Sequence, residues 1–493
     1  MGILLLGPIF IPLLGAAAGV LFGRNRTLQH GVGLLAGILS AFCSYAVLAQ
    51  NLQGNILTYQ LGGWPPPYGI VLVGDLLASW FAVTATTVVA LGILYALGSK
   101  DKVVTYPAFM PLFLAMGAGL SGALYTGDLF TLFVFIELMV ISSVALVAIS
   151  DNKLGLEAAI KYLFISAMGT LFLLVGIAAL YATFATLNMA EIGALLANGE
   201  RPLLVPAAAV MLMCAFLLKS AVFPFHFWQP DFHTTAPTPV GSMLSSVVVK
   251  VGIYGLIRMI TLMFTDEAPL IDGLLIVLGV IGIFFGSLGA LRTYDAKRML
   301  AYSTFGQIGF ILVGIGWGTA AALAGALVYA FNHSFIKSAL LMITGVVASR
   351  TMTKTARLSD LAGIGKKMIL PGTLYFLGGL ALAGVPPLNG FISKVSLVEA
   401  GIGAESYLVV LLVVSAGILT LIYMTRTWQH IFQRAPEGEV KLKPYGDYPL
   451  APALLIVLCV LLGLFAAPLL NTATLTVAQI SNPQLYISAV LGG

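Results

Sequence analysis

In the run FVFIELMVISS, residues 133–143, one carboxylate, Glu137, interrupts side chains that otherwise suit an oil-like surrounding. Lysines do the same elsewhere: Lys219 in AFLLKSAVF, Lys250 in SSVVVKVGIYG and Lys394 in GFISKVSLV. In NHSFIKSALL, His333 and Lys337 stand four residues apart, which puts both on one helix face. Carboxyl, amine and imidazole groups all exchange protons, and burial disfavours the charged form of each. Bringing an acid beside an amine restores charge to both; separating them releases a proton from the amine. Glu137 and Lys219 are therefore a candidate switch. His333 read by itself is equally a hydrogen-bonded core histidine. Sodium is served less well, because hard cations want several oxygen ligands. Asp75, Asp128 and Glu399 fall toward the ends of apolar runs, where they are expected to cap helices or face water.

These groups need elements that hold them away from solvent. The chain has 493 residues, 59% hydrophobic and 9% charged, with mean hydropathy +1.02; soluble domains carry about 25% charged residues. That is the composition of a membrane protein. Runs long enough to cross about 30 Å of hydrocarbon predict about fourteen spans, at 3–22, 30–50, 71–97, 107–124, 128–149, 158–183, 205–227, 240–263, 269–290, 299–316, 320–348, 369–400, 406–432 and 450–470. Only helices and closed barrels satisfy their backbone inside lipid, and period-2 alternation is missing. The expected fold class is an all-α polytopic membrane bundle. Residues 1–22 carry Arg24 and Arg26 after the apolar run and no positive residue before it, which predicts a retained first helix with its N-terminus outside. Cys43, Cys214 and Cys459 stand singly in different runs, so packing is expected of them rather than a disulfide or metal framework.

Counted from Asp128, Glu137 lies about 13 Å along its helix at 1.5 Å per residue, close to mid-bilayer. Lys219 and Lys250 come out at similar depth. An ionisable group there costs about 2.5–3.5 kcal/mol on insertion scales and needs an internal partner or a wet cavity. A lone lysine could snorkel, but from near a helix end. Glu137, Lys219, Lys250, His333, Lys337 and Lys394 together predict a path for a small ion, most simply a proton.

Charge gives orientation. Odd-numbered connections hold eighteen basic residues, from Arg24 to Lys443, and even-numbered ones hold Arg201 and Arg258. By the positive-inside rule the odd connections are cytoplasmic and both termini face outward. The net charge of +5 then reflects topology, and no nucleic-acid partner is expected. Prolines break span seven around Pro224 and span twelve at Pro386 and Pro387. Broken helices at corresponding places in two halves point to a transport site. Five helices separate the breaks, so spans four to eight and nine to thirteen are expected to be inverted repeats. The organisation expected is 1–106 for helices 1–3, 107–263 and 264–432 for the two halves, and 433–493 for a cytosolic loop and helix 14. Segments 350–367 and 434–447 read as cytosolic and partner-facing. GAGLSG, residues 117–122, matches a dinucleotide fingerprint only formally, and close helix packing by small residues accounts for it better. No cofactor, metal or enzyme site is expected.

Six blocks carry a family resemblance: GDLFTLFVFIELM, EAAIKYLFIS, KSAVFPFHFWQPDFHTTAPTPV, DAKRMLAYSTFGQIG, NHSFIKSALL and GVPPLNGFISK. In this order and spacing they resemble the antiporter-like subunits shared by respiratory complex I, membrane hydrogenases and Mrp-type multisubunit Na+/H+ antiporters. The resemblance runs from span three to span thirteen. It implies a fourteen-helix proton channel in which Glu137 and Lys219 are the input pair, Lys250, His333 and Lys337 the central relay, and Lys394 the terminal one. The M-type subunit of complex I carries glutamate at that last place, so Lys394 argues against that branch. GGWPPPYGIVLVGDLLASW and NPQLYISAVLG look most like the D-type Mrp subunits, which implies a bacterial plasma-membrane complex with other membrane subunits as partners and protons and Na+ as cargo. The leading alternative is an energy-transducing subunit of a complex I-like oxidoreductase or hydrogenase. A membrane scaffold that moves no ion is the third reading, and the expense of the buried charges speaks against it.

Overall fold

The computed structural model describes residues 2–23, 25–199, 202–352, 354–435 and 441–492. Arg24 and Arg201, used in the charge count, and residues 436–440 of the polar segment lie outside them. The apolar composition gives a helical bundle, and among the described residues ten helices are long and apolar enough to cross a membrane, or up to eleven if one bent pair is a single span.

The chain begins with α1 (Gly7–Leu21) and α2 (Arg26–Asn51). A short antiparallel hairpin follows, β1 (Leu57–Gln60) with β2 (Val71–Gly74). The run at 71–97 is therefore not one helix. Its first residues pair as strand, and α3 (Leu76–Gly98) starts only where the Asp75 carboxylate accepts from Ala78 N at 2.9 Å, an N-cap. Next come α4 (Phe109–Tyr125), α5 (Leu129–Ala148), α6 (Lys153–Phe184) and the short α7 (Met189–Ala197).

Span seven is broken as expected. Helix α8 (Leu204–Lys219) stops at Lys219, and a turn through Ala221, at φ +54°, leads to α9 (Gln229–Thr235). A non-glycine residue in that left-handed region costs about 1–2 kcal/mol, so the surrounding packing enforces the turn. Helix α10 (Thr238–Met243) runs through a π-helical turn, Leu244–Val248, into α11 (Lys250–Leu262).

The second half holds α12 (Ala268–Arg292), α13 (Ala296–Gly316), α14 (Ala320–Arg350) and the one-turn α15 (Leu358–Leu361). Span twelve is also broken, into α16 (Ile369–Ala383) and α17 (Asn389–Gly403), followed by α18 (Tyr407–Trp428). Helix α19 (Leu450–Leu464) meets α20 (Ala467–Ile480) at a 79° bend, and α21 (Pro483–Leu491) follows. The run expected at 450–470 is thus cut short at Leu464. Pro468 suits the first turn of a new helix rather than the interior of an old one.

Two backbone clasps match each other. Leu129 N donates to Leu187 O and Met189 N to Gly127 O, both at 2.9 Å, tying the start of α5 to the start of α7. Ala296 N donates to Ala356 O at 2.8 Å and Leu358 N to Tyr294 O at 2.9 Å, tying the start of α13 to the start of α15. Asp128 and Asp295 cap their helices in the same way.

Burial sorts the helices into two classes. In the best membrane-crossing window of α3, of α10 through α11, of α13 and of α14, 83% to 100% of the residues are buried, against 33% to 39% for α2, α6, α12 and α18. The inner class carries Lys250, His333 and Lys337. Small residues allow the inner packing: a Cβ on Gly119 would stand 2.6 Å from Met139 N, and one on Gly122 2.3 Å from the Phe135 ring. GAGLSG is accordingly the close contact of α4 with α5, the helix that carries Glu137.

Four side chains differ from expectation. Arg258, counted among loop residues, is buried in α11, where it forms a bidentate pair with Asp75 at 2.6 and 2.7 Å. Asp75 is likewise buried and ion-paired besides capping α3, because the two residues, far apart in sequence, meet only in the folded bundle. Cys43 and Cys214 are only partly buried, and Cys459 alone is fully packed.

Candidate functional site

Glu137 sits mid-way along α5 and Lys219 at the last residue of α8, and α6 lies against both. Lys219 Nζ lies 3.4 Å from Glu137 Oε1. It donates to Ser166 Oγ at 2.6 Å, to Ser166 O at 3.3 Å and to Thr170 Oγ1 at 3.3 Å. Thr170 Oγ1 also makes a short hydrogen bond with Glu137 and lies 3.0 Å from Ser166 O. A hydroxyl has one proton and two lone pairs, so Thr170 donates to either the carboxylate or the Ser166 carbonyl at any moment. It can exchange roles as the charge of its neighbours changes. The lysine side chain is 4% exposed and the glutamate 25%, because Glu137 lies between the outward-facing Val134 and Ile141 on α5.

Gly252 joins this pair to the next group. A Cβ there would stand 2.2 Å from Ser220 Oγ and 2.3 Å from Phe216 O, so only glycine lets α11 approach the end of α8 so closely. Two residues earlier, Lys250 Nζ donates to the Ser246 carbonyl in the π-helical turn, and Ser334 Oγ on α14 donates to the same oxygen at 3.0 Å. A π turn widens the backbone ladder and recurs at functional sites.

Lys250 and the α14 pair His333 and Lys337 lie together, since Ser334, next to His333, shares the Ser246 carbonyl with Lys250. Lys337 Nζ donates to Leu300 O at 2.7 Å; Thr304 donates to that carbonyl at 3.0 Å and hydrogen-bonds Ser245. His233 on α9 is buried as well. Among the described residues no hydrogen-bond partner reaches either ring nitrogen of His233 or of His333. Both rings are buried and pack on aromatic neighbours, His233 on Trp228 and His333 on Tyr329.

Beside His333 stands a second polar network, built of residues the sequence reading missed. The Tyr329 ring lies 6.5 Å from that of His333, and its hydroxyl donates to Gln307 Oε1. Gln307 Nε2 reaches Thr420 Oγ1 and Tyr423 Oη, each at 3.5 Å, and Tyr423 bonds Ser303 at 2.8 Å. Phe310 stacks on Tyr329 at 5.3 Å, and Lys394 Nζ stands 5.5 Å from the centroid of the same Phe310 ring. Lys394 donates to Ala383 O at 2.6 Å, at the C-terminus of α16, where the helix dipole favours a cation. Gly384, at φ +86°, leaves room for the lysine stem, since a Cβ would stand 2.6 Å from Lys394 Cδ.

The six expected residues therefore fall into three groups: the Glu137 and Lys219 pair, the Lys250, His333 and Lys337 cluster, and Lys394 by itself. His233 stood in a quoted motif, and its fourth-residue position before a proline-rich turn gave no hint of inward direction.

Residues 126–420 match the family described as NADH:quinone oxidoreductase/Mrp antiporter, transmembrane. The chain belongs to this family. It is 32% identical over the full length of both chains to the D-type subunit of the Na(+)/H(+) antiporter of Alkalihalophilus pseudofirmus. It is 35% identical to the N-type subunit of the NADH-quinone oxidoreductase of Desulforudis audaxviator, over 86% of this chain and 85% of that one. Among solved structures, a chain of the Mrp complex from Dietzia sp. superposes with a TM-score of 0.91 at 26% identity, over 100% of this chain and 99% of the other. Within this antiporter and oxidoreductase family, the expected resemblance and the helical membrane architecture both stand.

Proposed function

We propose that this chain is the proton-conducting subunit, of D type, in a bacterial Mrp-type cation/proton antiporter of the plasma membrane. One observation carries the reading: a carboxylate and an amine, Glu137 and Lys219, meet at 3.4 Å inside an apolar bundle and share the Thr170 hydroxyl. A buried ion pair is poor value for stability, because desolvation offsets its attraction. Its use is then in changing charge state. Protons pass from this pair through Lys250, His333 and Lys337, with His233 alongside, and leave by way of Tyr329, Gln307 and Lys394. Full-length similarity to a D-type antiporter subunit supports this assignment.

The finer architecture belongs to the same proposal. Ten long apolar helices, three shorter ones (Phe109–Tyr125, Leu204–Lys219 and Ile369–Ala383) and the bent pair add to fourteen crossings, with both termini outside by the charge rule. The matching clasps at Asp128 and Asp295, and the paired breaks before α9 and α17, support inverted halves at 107–263 and 264–432. Glu137 reaches the outer surface of the chain, where acyl chains would be a costly neighbour for a carboxylate. A further membrane subunit covering that face accords with a multisubunit assembly.

The 35% identity to an N-type oxidoreductase subunit favours one second reading, a redox-driven proton pump using the same path. Acidification dequenching in everted vesicles carrying the whole complex separates the two. A response to NaCl without an electron donor supports the antiporter, and a response to NADH alone refutes it. Glu137→Gln and Lys219→Ala are each expected to abolish the sodium response while leaving the complex assembled; wild-type responses in both would remove the pair from the mechanism.

A further inference from the structure

At the C-terminal end of α12 a cavity of about 710 Å³ opens on the outside of the bundle, and none of the six proposed relay residues lines it. Arg292, Arg298 and Arg357 converge on it, with Tyr294 and Tyr302 beside them and Phe285 and Leu288 at its foot. Arg298 is held by Asp231 at 3.1 Å, and Asp295, which caps α13 through Oδ1, is the one acid lining the cavity against three arginines. Arg292 and Arg357 are exposed and have no ion pair among the described residues. Arg426 braces the wall, with its guanidinium 4.9 Å from the Tyr294 ring and a hydrogen bond to Leu291 O.

The cavity does not end at its foot. Leu270, Leu274, Val277, Ile281, Phe285 and Leu288 are all exposed and recur at steps of three and four, one continuous apolar stripe of α12. At 1.5 Å per residue it runs about 27 Å, close to the hydrocarbon thickness of a bilayer. Fixed positive charge at the head of a membrane-length apolar track, with tyrosines at the boundary, is complementary to one kind of molecule. We infer that this cavity binds the headgroup of an anionic glycerophospholipid, its phosphate between Arg292 and Arg357 and an acyl chain along the α12 stripe. Guanidinium forks match phosphate oxygens in pairs, and basic pockets between helices at the membrane boundary take such headgroups. A zwitterionic lipid brings its own cation to the site and loses this advantage.

The test uses the intact complex containing this chain, in nanodiscs of phosphatidylcholine doped with phosphatidylglycerol, followed by detergent extraction and mass spectrometry of the lipid retained. The wild-type complex is expected to keep phosphatidylglycerol above its share of the mixture. The Arg292→Gln, Arg357→Gln double variant is expected to lose about tenfold of that enrichment. Arg292→Lys, Arg357→Lys, which keeps charge and fold, should retain part of it, and Lys354→Gln with Lys366→Gln, exposed basic residues outside the cavity, should leave it unchanged. Equal retention by the wild type and the glutamine variant overturns the inference. So does displacement by inorganic phosphate with no lipid recovered, or loss of other subunits from the glutamine variant with lipid content unaltered, which would make this face a protein interface. Sodium-dependent acidification measured on the same samples reports on the relay separately.

Discussion

Replacing Thr170 with valine keeps the branched shape of the side chain and removes a single oxygen. That oxygen touches both members of the central pair, through its hydrogen bond to Glu137 and the 3.3 Å bond from Lys219. Hydrogen bonds to charged groups contribute about 1.5–3 kcal/mol each, so the two together bound the effect at about 3–6 kcal/mol. Lys219 keeps Ser166 Oγ at 2.6 Å, and the glutamate is 25% exposed, so about half of that bound is a reasonable net. At 1.36 kcal/mol per decade, transport is expected to slow by about tenfold to a hundredfold. Everted vesicles with normally assembled complex, assayed for sodium-dependent dequenching across a pH series, give the rate directly. Thr170→Ser retains the hydroxyl and should recover most of the activity. A valine variant running at the wild-type rate at every pH would refute the argument that this hydroxyl couples the two charges.

Three further outcomes follow from the same geometry. Lys394→Ala should lower proton flux by about a hundredfold while leaving the Glu137 and Lys219 pair in place, read by fluorescence quenching in proteoliposomes; undiminished flux would put the exit elsewhere. Gln307→Leu removes the partner of Tyr329, Thr420 and Tyr423 and should slow transport by about tenfold, the equivalent of one or two lost hydrogen bonds. Arg258→Met leaves the Asp75 carboxylate buried without its partner and should destabilise the chain by about 3–5 kcal/mol, seen as a lower thermal midpoint of the complex; adding Asp75→Asn, which preserves the cap on α3, should restore much of the loss.

The groups that were legible in the sequence are those that clash with their surroundings. Glu137, Lys219, Lys250 and Lys394 announce themselves because charge is scarce in apolar runs, and clustered prolines marked both broken helices because each removes a donor and crowds the preceding turn. Ser166, Thr170, Tyr329, Gln307 and Tyr423 gave no such signal. Hydroxyls bond their own helix throughout this chain, as Thr84 does to Trp80 O and Thr344 to Leu340 O, and buried amides tie segments together away from the candidate site, as Gln29 does to Gly19 O and Pro107 O, so their types do not separate one role from the other. Arg258 and Asp75 stayed hidden for another reason. Each stands near the end of an apolar run, and only the fold brings α11 against the start of α3. The hairpin at 57–74 and the bend at Leu464 were obscured by the hydrophobic content they share with the helices beside them.

The position of Glu137 at the flank of α5 has a consequence for assembly. The chain by itself presents a one-quarter-exposed acidic side chain on that flank, and facing acyl chains it would raise the cost of residence in the bilayer. On the proposed multisubunit reading, early pairing of that flank during assembly would lower this cost.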